Sequence, residues 1–176
     1  WTNSINYSAK AQMFFPGGLN LTLSTQKIKP DNVTINMYDA GIYWQSHGFH
    51  IEAEYLYKHY YDDAFKAVHA VDAFASYDIP TSQKSAIRYV TPLIRYDYMS
   101  DHSDGMRYLD GKANEAGKLI VNDYQCSRLT GGVMLSLKKP FVSDIRVNYE
   151  KYFYKNNGVP RPSEKDKIVV EFMTRF

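Results

Sequence analysis

The last ten residues, Lys167-Ile168-Val169-Val170-Glu171-Phe172-Met173-Thr174-Arg175-Phe176, constrain the fold more than any other stretch of the chain. Ile168, Val170, Phe172, Thr174 and Phe176 share one face of an extended segment, and Lys167, Val169, Glu171, Met173 and Arg175 share the other. No charge falls on the apolar face. A half-buried strand keeps these charges on one side. The stretch ends on an aromatic residue that needs an apolar place to lie.

The remainder of the chain repeats this pattern. Ile5 to Phe15 alternates almost perfectly, with Ile5, Tyr7, Ala9, Ala11, Met13 and Phe15 on one face. Pro16-Gly17-Gly18 ends that strand, and a polar stretch to Asn32 reads as a loop. Val33 to Ser46 follows, but Ile35 and Met37 fall on the face opposite to Ala40, Ile42 and Trp44, which predicts a bulge near Asp39. Ser46-His47-Gly48 is a tight turn, and Phe49 to Tyr57 alternates cleanly. A turn at Tyr61-Asp62-Asp63 precedes Phe65 to Tyr77, an alanine-rich run with helix as an alternative, assigned to strand from its neighbours. Ile79-Pro80-Thr81-Ser82 reads as a turn, and Val90 to Tyr98 as a strand bulged at Pro92. A long polar loop from Ser100 to Gln125 leads to strands at Arg128 to Lys138 and Ile145 to Tyr154, separated by a turn at Lys139-Pro140. After a loop at 156–160 the closing strand completes about eight.

Composition narrows what such a chain can be. With 44% hydrophobic residues and a net charge of +2, it lacks the basic excess of a nucleic-acid binder. Its 16 Tyr against 2 Trp give an aromatic excess suited to strands and to polar–apolar boundaries. A lone Cys126 excludes an internal disulfide framework. No apolar run reaches the roughly 20 residues of a membrane helix, and the mean hydropathy is -0.46. Alternating membrane strands average to the same value, because every second residue faces water. Trp1 opens almost directly onto patterned sequence without an initiator Met, the expectation for a processed chain or a segment of a longer one.

Strands of roughly ten residues match membrane spans better than soluble strands of five or six. The connections also divide into long polar ones and short ones, as in bacterial outer-membrane barrels, and the ending resembles the assembly signal on their closing strand: Ile168, Val170, Phe172 and Phe176. The expected fold is all-β, an antiparallel transmembrane β-barrel in a single domain over residues 1–176. An even strand count would place both termini in the periplasm.

Five segments carry a family resemblance: Gly48 to Tyr55, Pro92 to Asp97, Leu129 to Val133, Asn148 to Tyr152 and Asp166 to Glu171. In this order, with Phe176, they resemble the carboxyl-terminal half of the phosphate-selective porin O and P family. The resemblance implies a barrel of roughly sixteen strands, of which eight would be half; the alternative is a small barrel closed alone.

The inward positions Lys10, Glu52, Glu54, Lys58, Arg95, Asp97, Arg128, Arg146 and Glu150 are the candidate pore lining. They read equally as ion pairs filling a narrow lumen. Acids interleave with bases here, unlike the basic ladder that phosphate selectivity implies. Asp101, His102, Asp104 and Asp110 fit no calcium loop, and His47 with His50 lack further ligands, so the expected metal and cofactor complement is none. No catalytic constellation stands out. The expected function is passive diffusion of small polar solutes or ions across a bacterial outer membrane; the alternative is a non-conducting scaffold. Expected partners are outer-membrane lipid, the barrel-assembly machinery during biogenesis, and a homo-oligomer or larger outer-membrane complex, without nucleic acid.

Overall fold

The chain forms one antiparallel sheet in a computed structural model that describes residues 5–29, 34–61, 67–101, 125–138, 143–154 and 165–174. Its strands are β1 (Tyr7–Phe15), β2 (Leu19–Ile28), β3 (Ile35–Ser46), β4 (Phe49–Tyr60), β5 (Val68–Tyr77), β6 (Ile79–Pro80), β7 (Ile87–Met99), β8 (Cys126–Leu137), β9 (Ser143–Tyr154) and β10 (Lys167–Thr174). Each long strand pairs with the next in sequence, and the two-residue β6 pairs only with β7. The sheet is open: β1 and β10 are its two edges.

Two hairpins show how local sequence sets the path. His47 and Gly48 both take positive φ, 50° and 85°, and join β3 to β4 through the pair Ser46↔Phe49. Positive φ at both central residues gives the turn a twist that matches the strands it joins. Gly17 and Gly18, at φ 83° and 81°, turn β1 into β2. Gly18 has no room for a side chain, because a Cβ there would collide with the carbonyl oxygen of Gln45.

Four sequence expectations need correction. Leu19 to Ile28 is a strand, not a loop; its polar run Thr22, Ser24 and Gln26 faces the charged side of the sheet, while Leu19, Leu21 and Leu23 face the other. No bulge occurs near Asp39, since β3 stays in register with β4 from Ile35↔Tyr60 to Ser46↔Phe49. The apparent change of face is real: Ile35 packs with Tyr60 and Val68 in a small buried cluster, against which Ile28 and Met37 lie. Pro92 carries no bulge either, and the irregularity sits between Ile87 and Tyr89. The β5 ladder ends at Ser76↔Leu93 and the β6 ladder begins at Ile79↔Val90, so Pro92 falls in the gap between them. Ile79-Pro80 is accordingly a short strand, with the turn further on. Helix is absent from Val68 to Tyr77, which is β5.

Among the described residues nine full-length strands, not eight, therefore make up the path. Their odd number, unlike the expected even one, puts the start of β1 beside Lys27 and the end of β10 beside Ser143 at opposite ends of the sheet. The two longest connections, 100–125 and 155–166, fall at the same end, although 78–86 at the other end is longer than 29–34 or 61–67. Residues 29–34, 61–67, 100–125 and 155–166 link strands at one end, and 16–18, 47–48, 78–86 and 138–142 at the other. Phe176 and most of the 100–125 and 155–166 connections lie outside the described residues.

Gly132 on β8 marks a close approach across the sheet. A Cβ there would collide with Asn148 Oδ1 and come within 2.7 Å of the carbonyl oxygen of Val147. Backbone cannot yield as a flexible side chain can, so Gly132→Ala is expected to destabilise the fold by about 1–3 kcal/mol. Urea unfolding midpoints check this; an unchanged midpoint would show that the two strands are not this close.

Candidate functional site

Strand pairing places all nine candidate lining residues on one face. Glu54, Asp72, Asp97 and Arg128 are successive cross-strand partners in one row across β4, β5, β7 and β8. Glu52, Arg95, Glu150 and Lys167 belong to the adjacent row, with Phe74 and Thr130 between them. Lys10 stands in the row of Ser24 and Asp39, Lys58 in the row of Met37 and Val68, and Arg146 beside Met134 and Glu171. Alternation alone should have added Asp39 and Asp72 to this set. Asp39 was obscured by the expected bulge, and Asp72 by the alanine-rich surroundings of β5.

The charges divide along the sheet. From β5 to β10 they form a chain of pairs. Arg95 bridges Asp72 and, at 2.9 Å, Asp97; Arg128 donates from Nε to Asp97 Oδ2 at 2.9 Å and approaches Glu150 at 3.5 Å. Tyr152 donates its hydroxyl to Glu150 at 2.9 Å, Lys167 lies 3.5 Å from the same carboxylate, and Arg146 reaches Glu171 at 3.2 Å. From β1 to β5, acids dominate. Lys10 lines a recess of about 210 Å³ together with Asp39, Glu52, Glu54 and Asp72, where Gly41 contributes no side chain to fill the space. Glu52 also meets His50 at 2.6 Å, and Lys58 lies 4.7 Å over the Tyr60 ring. A cavity of about 490 Å³ joins the two regions, lined by Glu54, Asp72, Asp97 and Arg128 above Leu56, Ala70 and Met99.

The opposite face is apolar. Ile168, Val170 and Phe172 stand there beside Tyr149, Val147 and Ile145. Along its middle run Ala11, Leu23, Ile42, Ala53, Ala73, Ile94, Val133 and Val147, with no charged residue among them. Aromatic groups border this band. At the short-connection end Trp44 stacks on Phe49, which meets Tyr77 at a tilt, with centroids 6.2 and 4.4 Å apart. At the long-connection end Tyr38, Tyr57, His59 and His69 cluster around Tyr57, and Lys27 and Lys151 are the strand cations on this face. The two faces differ in enclosure. Ile94 and Val147 are 53% and 46% exposed, whereas the side chains of Glu150 and Asp97 retain 13% and 24%. Asp97 and Glu150 are thus sheltered, while Glu52, Glu171 and Arg95 on the same face keep 47%, 45% and 44%.

Among the described residues no three His, Cys, Asp or Glu side chains converge as a metal cluster; His102, Asp104 and Asp110 lie outside them. Asp101 caps the end of a connection, accepting the Gln125 backbone N–H at 2.7 Å.

Asp166 latches the start of β10 to β9. Its carboxylate meets Lys151 Nζ at 2.7 Å and accepts the Tyr152 backbone N–H at 2.9 Å. The Lys151 ammonium first, and the Tyr152 amide second, hold this carboxyl below the usual carboxylate range. A depressed folded value means that the latch is fully present above the ordinary carboxylate value of about 3.9 and is lost as pH falls through the lower folded one. Hydrogen exchange at the Tyr152 amide is expected to accelerate in that acid window, and at neutral pH in Asp166→Asn. Equal protection in the two proteins at neutral pH would remove Asp166 from this role.

No family model, curated protein or solved structure matches the chain.

Proposed function

We propose that this chain forms the wall of an outer-membrane β-barrel through which small polar solutes or ions diffuse passively, with the charged face turned to the lumen and the apolar face to lipid. The observation that carries the reading is the uncharged apolar band between two aromatic borders. From Phe49 to Tyr57 the strand rises about 27 Å, and a tilted strand of that length fits an apolar band about 25 Å tall flanked by aromatic girdles. A soluble sheet with this face uncovered would aggregate. The sequence resemblance to phosphate-selective porins, the two-sided strands and the unequal connections support the same reading. Lipid and the barrel-assembly machinery are its natural partners, and the function requires neither a catalytic group nor a cofactor.

Conductance tests the proposal. Arg95→Ala removes the cation shared by Asp72 and Asp97, and so should shift reversal potentials under a salt gradient towards cations. Glu54→Ala should shift them the opposite way. At about 10 Å from an ion in water a unit charge contributes roughly 0.4 kcal/mol, near a twofold change in permeability ratio, reduced further by salt. Well-folded protein that carries no current in planar bilayers would overturn conduction. It would favour a membrane scaffold, the reading that the mutually paired charges from β5 to β10 suggest.

A further inference from the structure

We infer that the apolar face of β1 to β4 holds one anionic lipid at the long-connection end, with its phosphate on Lys27, Asn36 and His59 and an acyl chain in the groove beside them. The inference rests on the membrane reading above and names the lipid chemistry that this face takes. Lys27, Asn36 and His59 are successive cross-strand partners in one row across β2, β3 and β4, all three on the apolar side of the sheet. Neighbouring strands lie about 4.8 Å apart, so the row spans roughly 10 Å, a distance that a long lysine side chain shortens towards an imidazole. An ammonium, a carboxamide and a ring N–H can all donate to phosphate oxygens, the ammonium most strongly.

Lys27 is suited to a ligand from outside the chain. Its neighbours across the ladders on this face are Tyr7 and Asn36, neither of them acidic. Lys151, the other strand cation on the face, already meets Asp166 at 2.7 Å. At the opposite end the same four strands present Phe15, Leu19, Trp44 and Phe49, a border without a cation.

Beyond the polar row the face follows the anatomy of a lipid. One row nearer mid-sheet stand Thr25, Tyr38 and Tyr57, the two rings stacked with centroids 6.3 Å apart. Tyrosine, apolar in body and polar at its tip, suits the depth where headgroup gives way to chain. The surface then sinks into a groove of about 620 Å³ beside Ala9, Ala11, Leu23 and Ala40. Tyr38 and Tyr55 are its raised walls, 51% and 42% exposed. The backbone at Lys10, Ser24 and Asp39, whose side chains turn to the charged face, forms its floor. Alanine methyl groups leave unfilled the space between the two tyrosines. Bulk lipid is as apolar as such a groove, so close packing, not escape from water, is what distinguishes a seated chain from its neighbours. The phosphate contacts add the charge selectivity.

Native mass spectrometry of the folded protein in a neutral detergent tests this, with phosphatidylglycerol and phosphatidylcholine as probes. One phosphatidylglycerol should be retained more tightly than phosphatidylcholine. Lys27→Gln should weaken its retention about fivefold, the worth of one lysine at an anionic lipid surface. Ala40→Phe should weaken it too, by filling the groove, whereas Lys151→Gln should leave it unchanged; heat-modifiable mobility verifies that each variant is folded. Unchanged affinity in either Lys27→Gln or Ala40→Phe, an equal loss in Lys151→Gln, or equal retention of phosphatidylcholine would overturn the inference. In those outcomes a protein that inserts into vesicles would leave the membrane reading standing, whereas one that stays in the soluble fraction and retains neither lipid would remove both.

Discussion

If the apolar face meets lipid as proposed, Val147→Arg is expected to cost roughly 2–4 kcal/mol of folding stability, the penalty for a cation on such a face near mid-bilayer. Val147 sits in the middle of the apolar band, between Val133 and Val170, and is 46% exposed. No acid lies on that face within the band, so the guanidinium has no partner there, and snorkelling must carry it past several apolar residues in either direction. Asn148→Arg, one position along β9, places the same charge on the sheltered face beside Gly132 and Val169. Among the described residues Asn148 Oδ1 has no hydrogen-bond partner to lose. Folded yield in outer-membrane fractions and urea midpoints in vesicles should fall sharply for Val147→Arg and little for Asn148→Arg. Comparable losses would mean that the outward face is misassigned.

Arg128→Met is the second large effect. Arg128 holds Asp97 at 2.9 Å and stands 3.5 Å from Glu150, and its removal leaves both carboxylates without it in a sheltered position. Breaking a fully buried pair costs about 3–5 kcal/mol. Arg128 keeps 29% of its side-chain exposure, and water screens the orphaned acids, so about 2 kcal/mol is the expected loss. The double change Arg128→Met with Asp97→Asn removes one of the two acids that lose Arg128 and should recover part of the loss. The single variant should also become more cation-preferring, because two acids lose their counter-charge while Arg95 and Lys167 remain. A double variant no more stable than the single would show that Asp97 was not held by Arg128.

Several parts of this organisation were legible in the residues themselves. Alternation in β1, β4, β7, β8, β9 and β10 names the face of every side chain, because a period of two admits only one such division. That is why the nine candidate lining residues proved to share a face without knowledge of which strands were neighbours. The same logic placed Ile168, Val170 and Phe172 on the other side. It faltered where one face is mixed. In β2 the polar positions are Thr, Ser, Asn and Gln, residues equally common in loops, and alternation among them is easily passed over.

What only the tertiary structure decided is pairing and count. Ile35 and Met37 seem out of phase until Tyr60 and Val68 arrive beside them from β4 and β5; a strand's own sequence does not state who covers its ends. Arg95 and Arg128 read as pore cations in isolation, yet each lies against acids from a neighbouring strand, since cross-strand register determines which charges meet. The ninth strand puts the start of β1 and the end of β10 at opposite ends of the sheet. The sequence by itself determined that the chain is all-β with one apolar and one charged face, because side-chain alternation is local. Which charges neutralise one another, and which way the edge strands run, follow from long-range hydrogen bonding that no local pattern encodes.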